Sequence, residues 1–75
     1  MNLAQIEPGK TGIVEDIGIC GPMAQRLQDL GLAVGMEITC VGRSPLGDPS
    51  AYLILGSVFA LRRKDCVQIT VRGCL

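Results

Sequence analysis

The sequence contains no histidine and no tryptophan, and only one tyrosine and one phenylalanine. Each absence removes a class of chemistry. Without His the usual general base is missing, and a cysteine nucleophile has no imidazole to activate it. Without aromatic platforms, single-stranded nucleic acid finds nothing on which to stack its bases. Seven Lys and Arg balance seven Asp and Glu, so the formal net charge is zero. The basic excess that gives nucleic-acid binders most of their affinity is therefore lacking, although Arg62, Arg63 and Lys64 form one local basic cluster. Apolar runs are only a few residues long, far short of the ~20 that a membrane-spanning helix needs. Met1 to Lys10 carries Glu7, Pro8 and Gly9 in place of a basic start followed by an apolar stretch. A secretory leader is not expected on that pattern, and the expected compartment is the cytoplasm.

The four cysteines, Cys20, Cys40, Cys66 and Cys74, form no Cys-x-x-Cys pair. Structural zinc sites bring their ligands in closely spaced pairs, so neither a metal nor another cofactor is expected. A disulfide framework belongs with secretion, which leaves the cysteines mostly as small buried apolar groups, with Cys74 expected to be exposed and oxidisable. The carboxylates Glu7, Glu15, Asp16, Asp29, Glu37, Asp48 and Asp65 are scattered among turns and polar faces. No two of them form a pair placed for acid–base work. Gly9-Lys10-Thr11 superficially matches the end of a phosphate-binding loop but lacks the upstream glycine and the strand-loop-helix context. An enzyme is not expected.

What the chain does have is apolar content, 48% over 75 residues. That is enough for one small domain spanning 1–75 and too much for disorder. Ten glycines and four prolines punctuate it as turns punctuate a small all-β fold. Leu3 to Pro8 reads as a lead-in and Thr11 to Ile17 as a first strand. Pro22 suits the first position of a helix. Met23, Leu27 and Leu30 share one helical face, leaving Arg26 and Asp29 outside. Gly31 suits a left-handed stop, with Leu32 packing back on Leu27. Met36 to Val41 alternates as a second strand. Ala51–Leu55 and Val58–Leu61 read as a hairpin about a type II′ turn at Gly56-Ser57. Arg62 to Asp65 reads as a polar corner, and Val67 to Arg72 alternates as a fifth strand. The fold class is thus all-β with one short helix. A small, partly closed, SH3-like β-barrel is the simplest architecture that hides the edges.

The loop Ser44-Pro45-Leu46-Gly47-Asp48-Pro49 stands out. Two prolines stiffen it, Gly47 permits a positive φ, and Asp48 can bond to nearby backbone amides. It reads as a rigid connection that sets strand register. It also reads, compatibly with that, as a pre-ordered recognition tip offering Leu46 at little entropic cost.

These residues carry a resemblance. Gln25-Arg26-Leu27-Gln28-Asp29-Leu30-Gly31, then Leu32 and Gly35, then Pro45-Leu46-Gly47-Asp48-Pro49 and Ala60-Leu61-Arg62-Arg63 follow one another as in the ferrous iron transport protein A family, FeoA. Pro8-Gly9 and the final Ile69-x-Val71 also fit, so that nearly the whole chain resembles the family. Val34 stands where that family often has proline, and Cys66 where it often has alanine. The resemblance implies an SH3-like barrel and an accessory, regulatory role in bacterial ferrous iron uptake. It implies binding to the cytoplasmic G-protein-containing region of the membrane transporter FeoB, with recruitment to the inner face of the membrane through that partner. Pro45, Leu46, Gly47, Asp48, Pro49 and Arg26 are the candidate partner-binding residues. The alternatives are an interaction module related to the C-terminal domain of metal-dependent repressors, without the DNA-binding helix pair, or a direct metal carrier built from distant cysteines. A homo-oligomer is left open.

Overall fold

Thr11–Ile17 forms the first strand, β1, with the bounds that its pattern predicts. In the computed structural model, which describes residues 1–73, β1 is followed by helix α1 (Pro22–Asp29), β2 (Glu37–Arg43), β3 (Ser50–Ile54), β4 (Ser57–Leu61), a single helical turn α2 (Arg63–Cys66) and β5 (Ile69–Arg72). The expectation for Cys74 falls outside the described residues. Every strand pairing is antiparallel, in the order β4-β3-β2-β1-β5. The register shifts between Val14 and Asp16 in β1 and between Cys40 and Gly42 in β2. An extra residue bends a strand and deepens its twist, so Glu15 and Val41 curl the sheet towards a barrel that does not fully close.

Helix α1 is short, and its ends explain its limits. Gly21, at φ +80°, turns the chain into Pro22. At the other end Gly31 adopts φ +95°. Its N–H donates to the Gln28 carbonyl, and that of Leu32 to the Leu27 carbonyl, both at 2.9 Å. This is the double bond pattern of the left-handed helix stop, with the expected apolar contact: Leu27 and Leu32 are both buried in the core. Two turns of helix are marginal alone, and α1 is held because Leu27, Met23 and Ala24 pack on the sheet.

The structure corrects the reading of the N-terminus. Leu3 to Pro8 is no mere lead-in. Leu3–Gln5 forms a 3-10 turn, and Leu3 and Ile6 are 0% exposed. Asn2 pairs with Thr70, and the Val71 N–H donates to the Met1 carbonyl at 2.8 Å, so this segment covers the outer edge of β5. The Arg43 guanidinium, at the end of β2, donates to the carbonyls of Ala4 (3.0 Å) and Ile6 (2.7 Å). Charged donors make the stronger hydrogen bonds, and here they fix the segment across the open part of the sheet.

Two further boundaries differ from expectation. The hairpin turn is centred on Leu55-Gly56 rather than Gly56-Ser57, with φ +50° and +79°. Positive φ at both central residues is the type I′ combination, which matches the twist of the flanking strands. The polar corner is the helical turn α2, and Val67 caps its C-terminal end instead of opening β5. Asp65 and Cys66 are buried by that turn while Val67 is exposed.

Replacing Ile6 with Ala removes a fully buried side chain from a thin core. We expect a loss of roughly 2–5 kcal/mol, read as a lowered midpoint in urea denaturation.

Candidate functional site

The loop between β2 and β3 is tied down at its base. The Ser44 N–H donates to the Pro49 carbonyl at 3.1 Å, and the Gly47 N–H to the Ser44 carbonyl at 2.8 Å. Gly47 takes φ +84° to close this turn, which puts Pro45 and Leu46 at its apex. Leu46 is 93% exposed, the barest of the large apolar side chains among the described residues. Asp48, behind the apex, does different work. Its Oδ1 accepts the Arg63 backbone N–H at 2.9 Å. Arg63 is the first residue of α2, whose leading N–H groups have no partner inside the helix. Asp48 therefore caps α2 from fifteen residues away and pins the loop to the end of β4. The loop is both a fixed connection and a presented tip.

Beneath it lies a cavity of about 170 Å³ lined by Arg43, Gly47, Ser50, Tyr52, Arg63 and Cys66, among others. Its floor is neutral. Burial pushes the Cys66 thiol above the ordinary range, the neighbouring Tyr52 hydroxyl acts against this, and the nearby carboxylates of Asp65 and Asp48 push it up again. Burial, reinforced by Cys66, pushes the Tyr52 hydroxyl up as well. Both groups stay protonated at neutral pH. The rim is cationic: Arg43 and Arg63 line the cavity, while Arg62 and Lys64 are exposed beside Arg63.

Arg26 is exposed on α1. Its neighbour Asp29 accepts a hydrogen bond from the Gln25 side chain at 3.0 Å. Among the described residues, no hydrogen bond joins Arg26 to the loop, and Arg26 does not line the cavity beneath it. Helix α1 precedes the start of β2, and the loop leaves its end. Tyr52 is 1% exposed and Phe59 is partly buried against the core, so these two rings form no surface groove. Among the described residues, no three His, Cys, Asp or Glu side chains come together to hold a metal ion. The cap formed by Asp48 was not readable in the sequence, because it joins two segments with no shared local pattern. The apolar spacing of Leu3 and Ile6 was a signal for the buried N-terminal turn.

This architecture, a coiled five-stranded antiparallel sheet with a short helix after β1, defines a small SH3-like domain. The FeoA domain model matches residues 1–73. The chain belongs to the FeoA family, whose members are associated with ferrous iron transport. It is 31% identical over 71 residues to an Fe(2+) transport protein A/Fe(2+) transporter FeoB fusion protein of Porphyromonas gingivalis. That match takes in 95% of the chain but only 8% of the fusion protein. Among solved structures, the FeoA protein of Chlorobium tepidum superposes with a TM-score of 0.89 at 31% identity, over 95% of this chain and 68% of that one. The Stenotrophomonas maltophilia FeoA, a prokaryotic SH3 domain protein crystallised with zinc, gives 0.83 at 26% identity, over 96% and 89%. The family is one of small transport-associated accessory domains rather than enzymes. No described helix is long and apolar enough to cross a membrane.

Two outcomes follow for the loop and the cavity floor. Asp48→Ala should cost about 1 kcal/mol through loss of the cap, while Leu46→Ala should leave stability unchanged, both read by chemical denaturation. Stability should also fall as pH rises above about 8.5, the ordinary thiol value. There the unfolded chain releases the Cys66 proton while the folded chain holds it, so the unfolded state binds fewer protons. Below that pH both states keep the proton and the effect vanishes. Denaturation at neutral and alkaline pH, with Cys66→Ala showing a shallower decline, checks the sign.

Proposed function

We propose that this chain acts in ferrous iron uptake by docking on the cytoplasmic G-protein-containing region of a FeoB-type transporter. Leu46 is the centre of the contact, and the cations from Arg62 to Lys64 lie at its rim. The observation that carries the reading is the fixed loop with a bare leucine at its tip. An apolar side chain held in water by a braced backbone loses little freedom when it is buried, and that preorganisation favours binding. Such a tip calls for an apolar pocket on the partner, with acidic groups around it to meet the cationic rim. The fusion of A and B proteins in the Porphyromonas relative supports FeoB as that partner. The Stenotrophomonas relative has been put forward as an activating factor of ferrous iron transport, which supports a regulatory outcome. Docking on the cytoplasmic side places this chain in the cytoplasm, brought to the membrane by its partner. Arg26 would belong to the same contact only if the partner reaches along β2.

The alternatives make different demands. A peptide-binding SH3 module needs an aromatic groove, and Tyr52 is in the core instead. A metal carrier needs a gathered ligand set.

Titrating the cytoplasmic region of FeoB with wild type, Leu46→Ala and Arg26→Ala tests the assignment. Leu46→Ala should weaken binding by about ten-fold or more, as removal of a central anchor does, with Arg26→Ala having the smaller effect. Unchanged affinity for Leu46→Ala would remove the loop from the contact. Tight stoichiometric ferrous iron binding by the isolated chain in calorimetry would favour the carrier instead.

A further inference from the structure

The two edges of the sheet are treated differently. Outside β5 runs the N-terminal segment, through the Asn2–Thr70 bridge and the Val71 to Met1 hydrogen bond. Outside β4 no described backbone group pairs with the strand. Proteins usually guard such an edge with lysine, proline, an inward charge or a bulge. Ser57-Val58-Phe59-Ala60-Leu61 has none of these, and its pairing with β3 runs without a register shift.

The hairpin fixes which groups face outwards. In a two-residue hairpin the pair flanking the turn, here Ile54 and Ser57, exchanges hydrogen bonds, and bonded and non-bonded pairs then alternate. Ser57, Phe59 and Leu61 therefore direct their N–H and C=O groups to Ile54, Tyr52 and Ser50. Val58 and Ala60 direct theirs away from the sheet. On the outer face Val58 is 60% exposed beside its cross-strand partner Leu53, and Ala60 is exposed too.

We propose that β4 pairs antiparallel with β4 of a second copy about a two-fold axis at Phe59. That register places Val58 opposite Ala60 of the second copy, and Ala60 opposite Val58 of the second copy. All the outward groups of both residues then find partners. The side chains of Leu53, Val58 and Ala60 from both copies join into one apolar stripe.

Charge supports a second copy in this orientation. β4 itself is uncharged, and Arg62 and Arg63 follow it directly. In the antiparallel register these arginines face Gly56 and Leu55 of the second copy, at the neutral turn. The Arg62 residues of the two copies are then six strand positions apart, roughly 20 Å, beyond the screening length of about 8 Å at physiological salt. A parallel pairing would set the two basic clusters side by side. A ribbon this short buries less than the roughly 1,000 Å² that marks a stable interface, so the dimer is a weak one that forms at high concentration. It rests on the β4 edge and not on Leu46, so its failure leaves the contact proposed for Leu46 standing.

The test is sedimentation velocity from low micromolar to near-millimolar protein, with amide hydrogen exchange followed by NMR. A concentration-dependent dimer is expected, with protection of the Val58 and Ala60 amides that grows as dimer accumulates. Val58→Pro deletes an outward donor and spares every bond to β3, so it should weaken association by about ten-fold or more. Val58→Lys, a change on the exposed face, should do the same while circular dichroism stays native. A wild type that is monomeric throughout overturns the proposal. So does a dimer whose Val58 and Ala60 amides exchange as in the monomer, or one that persists in natively folded Val58→Lys.

Discussion

Leu3 and Ile6 fill the space that five short strands leave open, and the packing of the domain is organised around them. A sheet curled by bulges at Glu15 and Val41 has a core on its inner face, yet a partly closed barrel gives water a way in. The N-terminal turn closes that way with two fully buried side chains, and Arg43 secures the turn by its carbonyls. The same guanidinium lines the cavity beneath the β2–β3 loop. One cation thus serves both the closure of the core and the wall of the candidate site.

The loop shows how a small domain presents an apolar group without collapsing it inwards. Its prolines stiffen the backbone, Gly47 closes the turn and the Asp48 cap ties it to α2, so that Leu46 is held out on a braced frame. Asp48 and Leu46, neighbours in one motif, have separate tasks: one carboxylate holds the frame and one leucine meets the outside. Val34 and Cys66 are the positions at which the resemblance leads one to expect proline and alanine. Val34 is 64% exposed, and Cys66 is buried in the cavity floor.

The strands and α1 were legible because each rests on a local rule. β-Branched residues marked β1, alternation marked β2, a turn glycine marked the hairpin, and the glycine after Leu30 marked the helix stop. The misplaced hairpin turn shows where local rules end. A glycine with positive φ suits the first position of one turn type or the second of another. A leucine at positive φ is costly, so Leu55 was the less obvious choice. Leu55 sits directly against Gly31, where an added Cβ would come within 2.5 Å of its Cδ1, and this contact between distant segments accompanies the unusual backbone. Asp48 and Arg63, and Arg43 with Ala4 and Ile6, are likewise contacts between remote segments. Of the candidate site, the stiff loop was visible in its prolines and glycine. The division of labour inside it was not.

The pairing of the first residues with the last strand also sets when this domain can come into being. Asn2 meets Thr70 and Met1 meets Val71, so the native state joins the two extremes of the described chain. Contacts so far apart in sequence must close a long loop before they yield anything, and chains rich in them fold slowly for their size. During synthesis the N-terminal turn leaves the ribosome before β5, and its pairing with Thr70 and Val71 waits until β5 has emerged. Completion of the domain is therefore a late event, and a nascent or truncated chain lacking β5 leaves the Met1–Asn2 backbone without its strand partner.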